Sequence, residues 1–125
     1  MNTEQGHGFL SLGRIYKAFI YSLDGLRHAA TKEAAFQQEL IVLTALSALC
    51  IMLPFSTYLK IQLLIAHLLI LIVELLNSAV EAIADKVCRE SDDLIKQAKD
   101  MASAAVLLIF IATALLWGYA LLTLV

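Results

Sequence analysis

Charge is scarce in this chain and is missing from long stretches of it. Only 16% of the 125 residues are Asp, Glu, Lys or Arg, whereas a typical soluble domain has about 25%. Lys60 is the only charged residue between Glu39 and Glu74, and none lies between Met101 and Val125. A helix needs about 20 mostly apolar residues to cross a bilayer. The sequence therefore predicts an all-α membrane protein and argues against a soluble domain.

Proline, cysteine and glycine are also rare, with one, two and five copies. Pro54 predicts a short turn between the first two apolar segments, because proline interrupts a helix interior. Cys50 is predicted inside a span and Cys88 in a loop, so the two should not pair, and their spacing fits no metal site. The glycines form no Gly-rich phosphate loop. Any bound nucleotide must therefore be held by helix side chains.

Three apolar segments and their flanks predict three membrane spans, at about 33–53, 61–85 and 100–123. Before them, residues at about 9–28 have apolar side chains at helical spacing and polar ones on another face, which predicts an amphipathic helix at the membrane surface. We find no internal repeat or linker, so we expect one domain, 1–125.

Lys and Arg residues are distributed unevenly around these spans. Nearly all of them precede the first span or lie in the second loop, and Lys60 is the exception. The positive-inside rule then places the N-terminus and the second loop in the cytoplasm.

The second span carries a polar face formed by Glu74, Asn77, Glu81 and Asp85. At 100° per residue these four side chains fall within an arc of roughly 80°. A charged residue at the bilayer centre costs about 2.5–3.5 kcal/mol on insertion scales, so this face should meet protein, water or a ligand. It fits either an interhelical polar clamp or a functional site, with Asp85 as an interfacial residue. Two glutamates on one face repel each other and each needs a partner, which favours a functional site over a clamp.

Further carboxylates and cations are predicted near the same membrane surface. Glu33 and Glu39 lie at the cytoplasmic end of the first span, and Lys99 and Asp100 open the third. Carboxylates from two helices can bind a hard cation such as Mg²⁺. A divalent cation between carboxylates and phosphates, with basic residues around it, is typical of phosphoryl transfer. Elsewhere, we expect His67 to be a packing residue, and Trp117 and Tyr119 to be interface anchors.

Three segments carry a family resemblance: KEAAFQQE (32–39), VELLNSAVEAIAD (73–85) and AKDMASAAVLL (98–108). They resemble the prokaryotic diacylglycerol kinase family, and the similarity covers nearly the whole chain. The resemblance implies a homotrimeric bundle in the bacterial inner membrane, with active sites shared between subunits. It also implies Mg²⁺-dependent transfer of the ATP γ-phosphate to diacylglycerol, giving phosphatidic acid, and no nucleic-acid partner.

By the same resemblance, Glu74 is the general base, Asn77 supports the site, and Glu33 and Glu81 bind the metal. The implied nucleotide contacts are Arg14, Tyr21, Glu33, Glu81, Glu90, Ser91, Asp92, Lys99 and Asp100. The implied lipid contacts are Arg14, Gln37, Gln38, Glu74 and Ser103. The chain departs from residues common in the family at Leu23, Gln37, Cys88, Asp92 and Ala102.

Three alternatives to a diacylglycerol kinase remain at the level of sequence. An undecaprenol kinase of the same family would share these features. A small transporter or channel subunit would use Glu74 as an intramembrane proton site. A structural membrane protein would use the polar face as a clamp between helices.

Overall fold

A computed structural model of the protein describes residues 12–87 and 92–125. Three of its helices are long and apolar enough to cross a membrane. The predicted all-α membrane architecture, with three spans after an N-terminal helix, is confirmed. The helices are α1 (Leu12–Lys32), α2 (Ala34–Met52), α3 (Thr57–Val87) and α4 (Asp93–Leu122).

The first helix and the first span meet at a single residue, Glu33. α1 continues past the predicted end at residue 28, and Glu33 then adopts an extended backbone with φ −96° and ψ 109°. Its amide still donates to the Ala29 carbonyl at 3.1 Å, and its own carbonyl accepts from the Gln37 amide at 3.0 Å. The chain therefore passes from the predicted surface helix into α2 without a loop.

The turn between α2 and α3 contains Pro54, as predicted, but α3 begins earlier than expected. Ser56 Oγ accepts from the Leu59 amide at 3.3 Å, which satisfies one of the free N–H groups at the start of α3. Lys60, predicted to lie in this loop, is instead in the first turn of α3. Its Nζ donates to the Ile51 carbonyl at 2.7 Å and so caps the end of α2.

α3 is the central helix and packs against both α2 and α4. Its buried side chains recur at helical spacing along one face, so its apolar packing residues and its polar stripe share that face. Near the α2–α3 turn, a buried apolar cluster includes Cys50, Phe55, Leu59, Leu63 and Ala120. The outer faces of the three long helices carry many exposed large apolar side chains. Such faces suit contact with lipid or with further protein.

His67 and Trp117 connect helices inside the bundle. His67 is buried, which confirms the prediction that it is a packing residue. Trp117, predicted as an interface anchor, instead turns its ring into the bundle. Its Nε1 donates to His67 Nε2 at 3.0 Å, and the ring packs edge-to-face on Phe55 with centroids 6.0 Å apart.

Candidate functional site

The polar stripe of α3 runs from the buried interior to the exposed C-terminal end of the helix. Glu74 is only 4% exposed and Asn77 9%, whereas Glu81 and Asp85 are exposed. Glu74 and Glu81 are seven residues apart, which is about 10.5 Å along the helix axis. The predicted difference in depth between the two glutamates is therefore present, with Glu74 the deeper.

Asn77 lies between the two glutamates and contacts both. Its Nδ2 donates to Glu81 Oε1 at 3.2 Å, and its side chain also interacts with the Glu74 carboxylate. An amide nitrogen carries two hydrogens, so one group can serve two acceptors. Asn77 Oδ1 is buried and has no partner among the described residues. Asn77 therefore links the two carboxylates of the stripe and leaves its own side-chain oxygen without a partner among the described residues.

Two further carboxylates reach this stripe from α2. Glu33 and Glu39 both interact electrostatically with Glu74, and Glu81 does so from within α3. Glu33 is half-buried at the α1–α2 break, with His28 Nε2 3.6 Å from its Oε1. Glu33 and Glu39 therefore lie near enough to Glu74 for their charges to interact with it. Their like charges repel, so a bound cation would stabilise the group.

The donor set suits Mg²⁺, although it is small. In residues 12–87 and 92–125, no group of three or more His, Cys, Asp or Glu side chains is arranged to hold a metal. Mg²⁺ commonly uses only one or two carboxylates and completes its shell with waters and substrate phosphates. Glu33 and Glu81, contributed by separate helices, fit that pattern.

Two ion pairs lie where the C-terminal end of α3 meets the first turns of α4. Lys99 Nζ is 2.8 Å from Asp85 Oδ1, which joins the two helices. Lys96 Nζ is 3.1 Å from Asp100 Oδ2 within α4. Asp85, expected to be only interfacial, thus has a specific partner. Lys99 and Asp100, both predicted to contact a nucleotide, lie at the same end of the bundle as Glu81.

Asp92 caps the start of α4, a role that we did not predict. Its Oδ1 accepts from the amides of Leu94 at 2.8 Å and Ile95 at 3.2 Å. The signal was present in the sequence, because an aspartate directly before a helix is a strong N-cap candidate. The predicted nucleotide contacts Glu90 and Ser91, together with Cys88, lie outside the described residues.

The structure does not bring Arg14, a predicted nucleotide and lipid contact, to Glu33 of the same chain. Arg14 and Tyr21 are exposed, and Arg14 lies in the first turn of α1. Nineteen residues of helical rise separate Arg14 from Glu33, which is about 28 Å. Arg14 therefore cannot contact its own Glu33.

A cavity of about 600 Å³ separates α1 from α3. Glu33 and His28 contribute to its wall, and small residues of both helices, including Gly25 and Ala82, keep it open. A Cβ added to Gly25 would have no atom within 4 Å. This cavity adjoins the carboxylates and is wide enough for a lipid headgroup.

A second cavity, of about 280 Å³, lies between α2 and α4. Gln38, Glu39 and Thr113 line it among apolar side chains. Glu39 Oε2 and Thr113 Oγ1 are buried and have no partner among the described residues. Of the other predicted lipid contacts, Gln37 is half-buried and Ser103 is exposed on α4.

Comparison with known proteins agrees with this arrangement. The family described as prokaryotic diacylglycerol kinase matches residues 20–121. The diacylglycerol kinase of Escherichia coli K12 is 40% identical over 104 residues, which are 83% of this chain and 85% of that protein. A Helicobacter pylori diacylglycerol kinase is 45% identical over 117 residues (89% and 87%), and that of Pseudomonas aeruginosa is 42% identical over 105 residues (84% and 85%). With three spans and a carboxylate site within the matched range, this chain belongs to the prokaryotic diacylglycerol kinase family.

Proposed function

We propose that this protein transfers the γ-phosphate of Mg-ATP to the hydroxyl of diacylglycerol at the cytoplasmic face of the bacterial inner membrane. The observation that carries the proposal is the electrostatic interaction of the buried Glu74 with both Glu33 and Glu81. The relatives named above are diacylglycerol kinases, which supports the same acceptor here. Phosphatidic acid and ADP are the products, and one domain, 1–125, performs the reaction.

Glu74 acts as the general base. It is the deepest carboxylate of the stripe, where a hydroxyl emerging from the lipid headgroup region can reach it. As the hydroxyl oxygen bonds to the γ-phosphorus, the bond to the β-phosphate oxygen breaks and the proton passes to Glu74. Positioned proton transfer of this kind contributes typically about 10²–10⁴-fold to the rate.

Glu33 and Glu81 would hold Mg²⁺, and Asn77, which donates to Glu81, would orient that carboxylate. When bound, the metal neutralises charge on the phosphate oxygens. Lys99 and Asp100 contact the nucleotide from the start of α4, together with the predicted contacts Asp92, Glu90 and Ser91. The lipid headgroup lies in the cavity between α1 and α3, which Glu33 lines. The other lipid contacts that the resemblance implies, Gln37, Gln38 and Ser103, lie on α2 and α4 outside this cavity.

The working enzyme is a homotrimer whose sites are shared between subunits. Two observations support a shared site. Glu81 is exposed, so the carboxylate group is open on one side, and Arg14 lies about 28 Å along α1 from its own Glu33. In the trimer, Arg14 and Tyr21 on α1 of a neighbouring subunit would supply basic and aromatic contacts to the phosphates and the lipid headgroup.

A lipid-kinase assay tests the proposal. The purified protein in mixed micelles, given radiolabelled ATP, Mg²⁺ and diacylglycerol, is expected to label the lipid. Glu74→Gln should lower turnover about 10²–10⁴-fold without changing the size of the oligomer. Thr44→Ala is the control, because Thr44 is exposed on α2 and its Oγ1 bonds only its own helix at Leu40.

Four results would contradict the proposal or a part of it. A wild-type protein that labels no lipid would refute kinase activity. A Glu74→Gln variant that keeps full turnover would refute the general-base role of Glu74. A Glu74→Gln variant that loses its oligomer would indicate that Glu74 is part of an interhelical polar clamp. Undecaprenol assayed side by side identifies the acceptor, and a strong preference for it would overturn the choice of diacylglycerol.

A further inference from the structure

The side chain of His67 joins all three spans of one subunit. It is buried at 3% exposure in the middle of α3. Its Nδ1 lies 2.8 Å from Ser47 Oγ on α2, and its Nε2 accepts from Trp117 Nε1 on α4 at 3.0 Å. Each ring nitrogen is thus occupied by a different neighbouring helix.

The two partners fix the protonation state of the ring. The indole N–H of Trp117 can only donate, so His67 Nε2 must be the unprotonated nitrogen. Nδ1 then carries the proton and donates it to Ser47 Oγ. The ring is a neutral imidazole with one defined tautomer, and exchanging the roles of the nitrogens would break the bond to Trp117.

The position of His67 on α3 relates it directly to the proposed base. His67 and Glu74 are seven residues apart, which places them about 10.5 Å apart along the axis and within about 20° of each other around it. Between them, Ile70 is also buried on this face, at 1% exposure. The contacts of His67 therefore fix the direction in which the carboxylate of Glu74 points.

The Glu74 carboxylate must be placed accurately for proton transfer, and a small rotation of α3 would displace it. A side-chain end lies about 6 Å from the helix axis, so a rotation of about 20° moves it by about 2 Å. A misplacement of about 1 Å can lower a reaction rate about 10²-fold. Apolar packing is non-directional, and α2 is apolar around most of its circumference, so α2 offers α3 little apart from Ser47 that distinguishes small rotations. Directional hydrogen bonds supply that selection.

We infer that His67, held by Ser47 and Trp117, is a positioning residue that sets the rotation of α3 and so aligns Glu74 with the acceptor hydroxyl. This inference rests on the proposed kinase function. It assigns no contact between His67 and any substrate. Substitution of His67 should therefore lower turnover without a matching change in substrate affinity.

Steady-state kinetics of four variants test the inference. His67→Leu keeps the bulk and removes both hydrogen bonds, whereas the side-chain oxygen of His67→Gln can still accept from Trp117. We expect His67→Leu to lower kcat about 10-fold or more with KM for ATP and lipid unchanged. Trp117→Phe should lower kcat in the same way, and His67→Gln should recover most of it. Gln62→Leu, a polar-to-leucine change elsewhere on α3, is the matched control and should keep the wild-type kcat.

Nitrogen NMR of histidine-labelled protein in micelles supplies a readout that does not depend on activity. We expect the His67 ring to carry its proton on Nδ1, and Trp117→Phe to shift the Nε2 resonance. A proton on Nε2 would refute the arrangement directly.

The kinetic outcomes separate this inference from the proposed function. An active wild type with an equally active His67→Leu variant overturns only the positioning role. The positioning role is also overturned if His67→Leu loses kcat because the folded oligomer is lost and if His67→Gln does not recover kcat. A wild type that transfers no phosphate to lipid overturns the proposed function, and the positioning role with it.

Discussion

Asn77 donates a hydrogen bond of 3.2 Å to Glu81, one helical turn nearer the exposed end of α3, while also interacting with the buried Glu74 one turn before it. A single amide thereby ties the proposed base to a proposed metal ligand. Residues that orient metal ligands typically change metal affinity or activity about 10–100-fold when they are removed.

Asn77→Ala should therefore weaken the response to Mg²⁺ by about 10-fold or more. Without the amide, the Glu81 carboxylate loses its donor and the two like charges lose the group between them. The measurement is the Mg²⁺ concentration that gives half-maximal lipid phosphorylation. Leu76→Ala is the control, because Leu76 adjoins Asn77 but is 63% exposed. An Asn77→Ala variant with wild-type Mg²⁺ dependence would contradict the role of the amide.

Glu33→Gln and Glu81→Gln should each raise the Mg²⁺ requirement, because each removes one charged oxygen ligand. The double variant should be less impaired than the product of the two single effects, since both residues serve one ion. Magnesium titrations of activity for the three variants measure this. Glu39→Gln is the control, as Glu39 also interacts with Glu74 but is not a proposed ligand. An equal shift in the control would mean that general negative charge, not coordination, is responsible.

Lys99→Gln and Asp85→Asn separate nucleotide binding from helix pairing. Both break the same ion pair, whose side chains are 39% and 70% exposed. An exposed pair is worth only about 0–1 kcal/mol, so thermal stability should change little in either variant. If Lys99 contacts the nucleotide, only Lys99→Gln should raise KM for ATP, by about 10-fold for a lost contact of about 1.4 kcal/mol. Equal kinetic effects in both variants would assign Lys99 to helix pairing alone.

Asp92→Ala should destabilise the start of α4 by about 0.5–2 kcal/mol, because the amides of Leu94 and Ile95 lose their acceptor. Asp92→Ser keeps a capping oxygen and removes the charge, so it should restore stability. Thermal unfolding in micelles measures this difference. KM for ATP is then compared between wild type and Asp92→Ser. A raised KM in the serine variant would show that the carboxylate also serves the nucleotide, and an unchanged KM would leave it as a cap.

Much of this fold follows from local patterns. The long charge-poor stretches predict the three spans, and Pro54 predicts the turn, because hydrophobic length and helix interruption depend on neighbouring residues only. The predicted ends of the helices were less accurate than the prediction that the helices exist. α3 includes Lys60, and α1 reaches Lys32, since helix ends depend on capping contacts such as that from Lys60 to Ile51.

The candidate site likewise depends partly on the local pattern of one helix and partly on how the helices pack. The spacing of Glu74, Asn77 and Glu81 places them on one helix face, which is a property of α3 alone. The interaction of Glu33 with Glu74 depends on the break between α1 and α2, which brings the start of one span beside the middle of another. Sequence reasoning placed Glu33 at the end of the stripe near Glu81 and Asp85, and did not predict its interaction with Glu74. It also missed the partner of Asp85, which is fourteen residues away on another helix.

The sequence by itself determined the spans, the polar stripe of α3, the glutamates that carry it and, through its resemblance, the family. Helical periodicity and apolar length are local, so they can be read from the residues in order. Only the tertiary structure decided which side of each helix meets the next. The partners of His67, which are 20 and 50 residues away, show the reason. Hydrogen bonds between helices depend on the rotation of segments far apart in the chain, and no local pattern encodes that rotation.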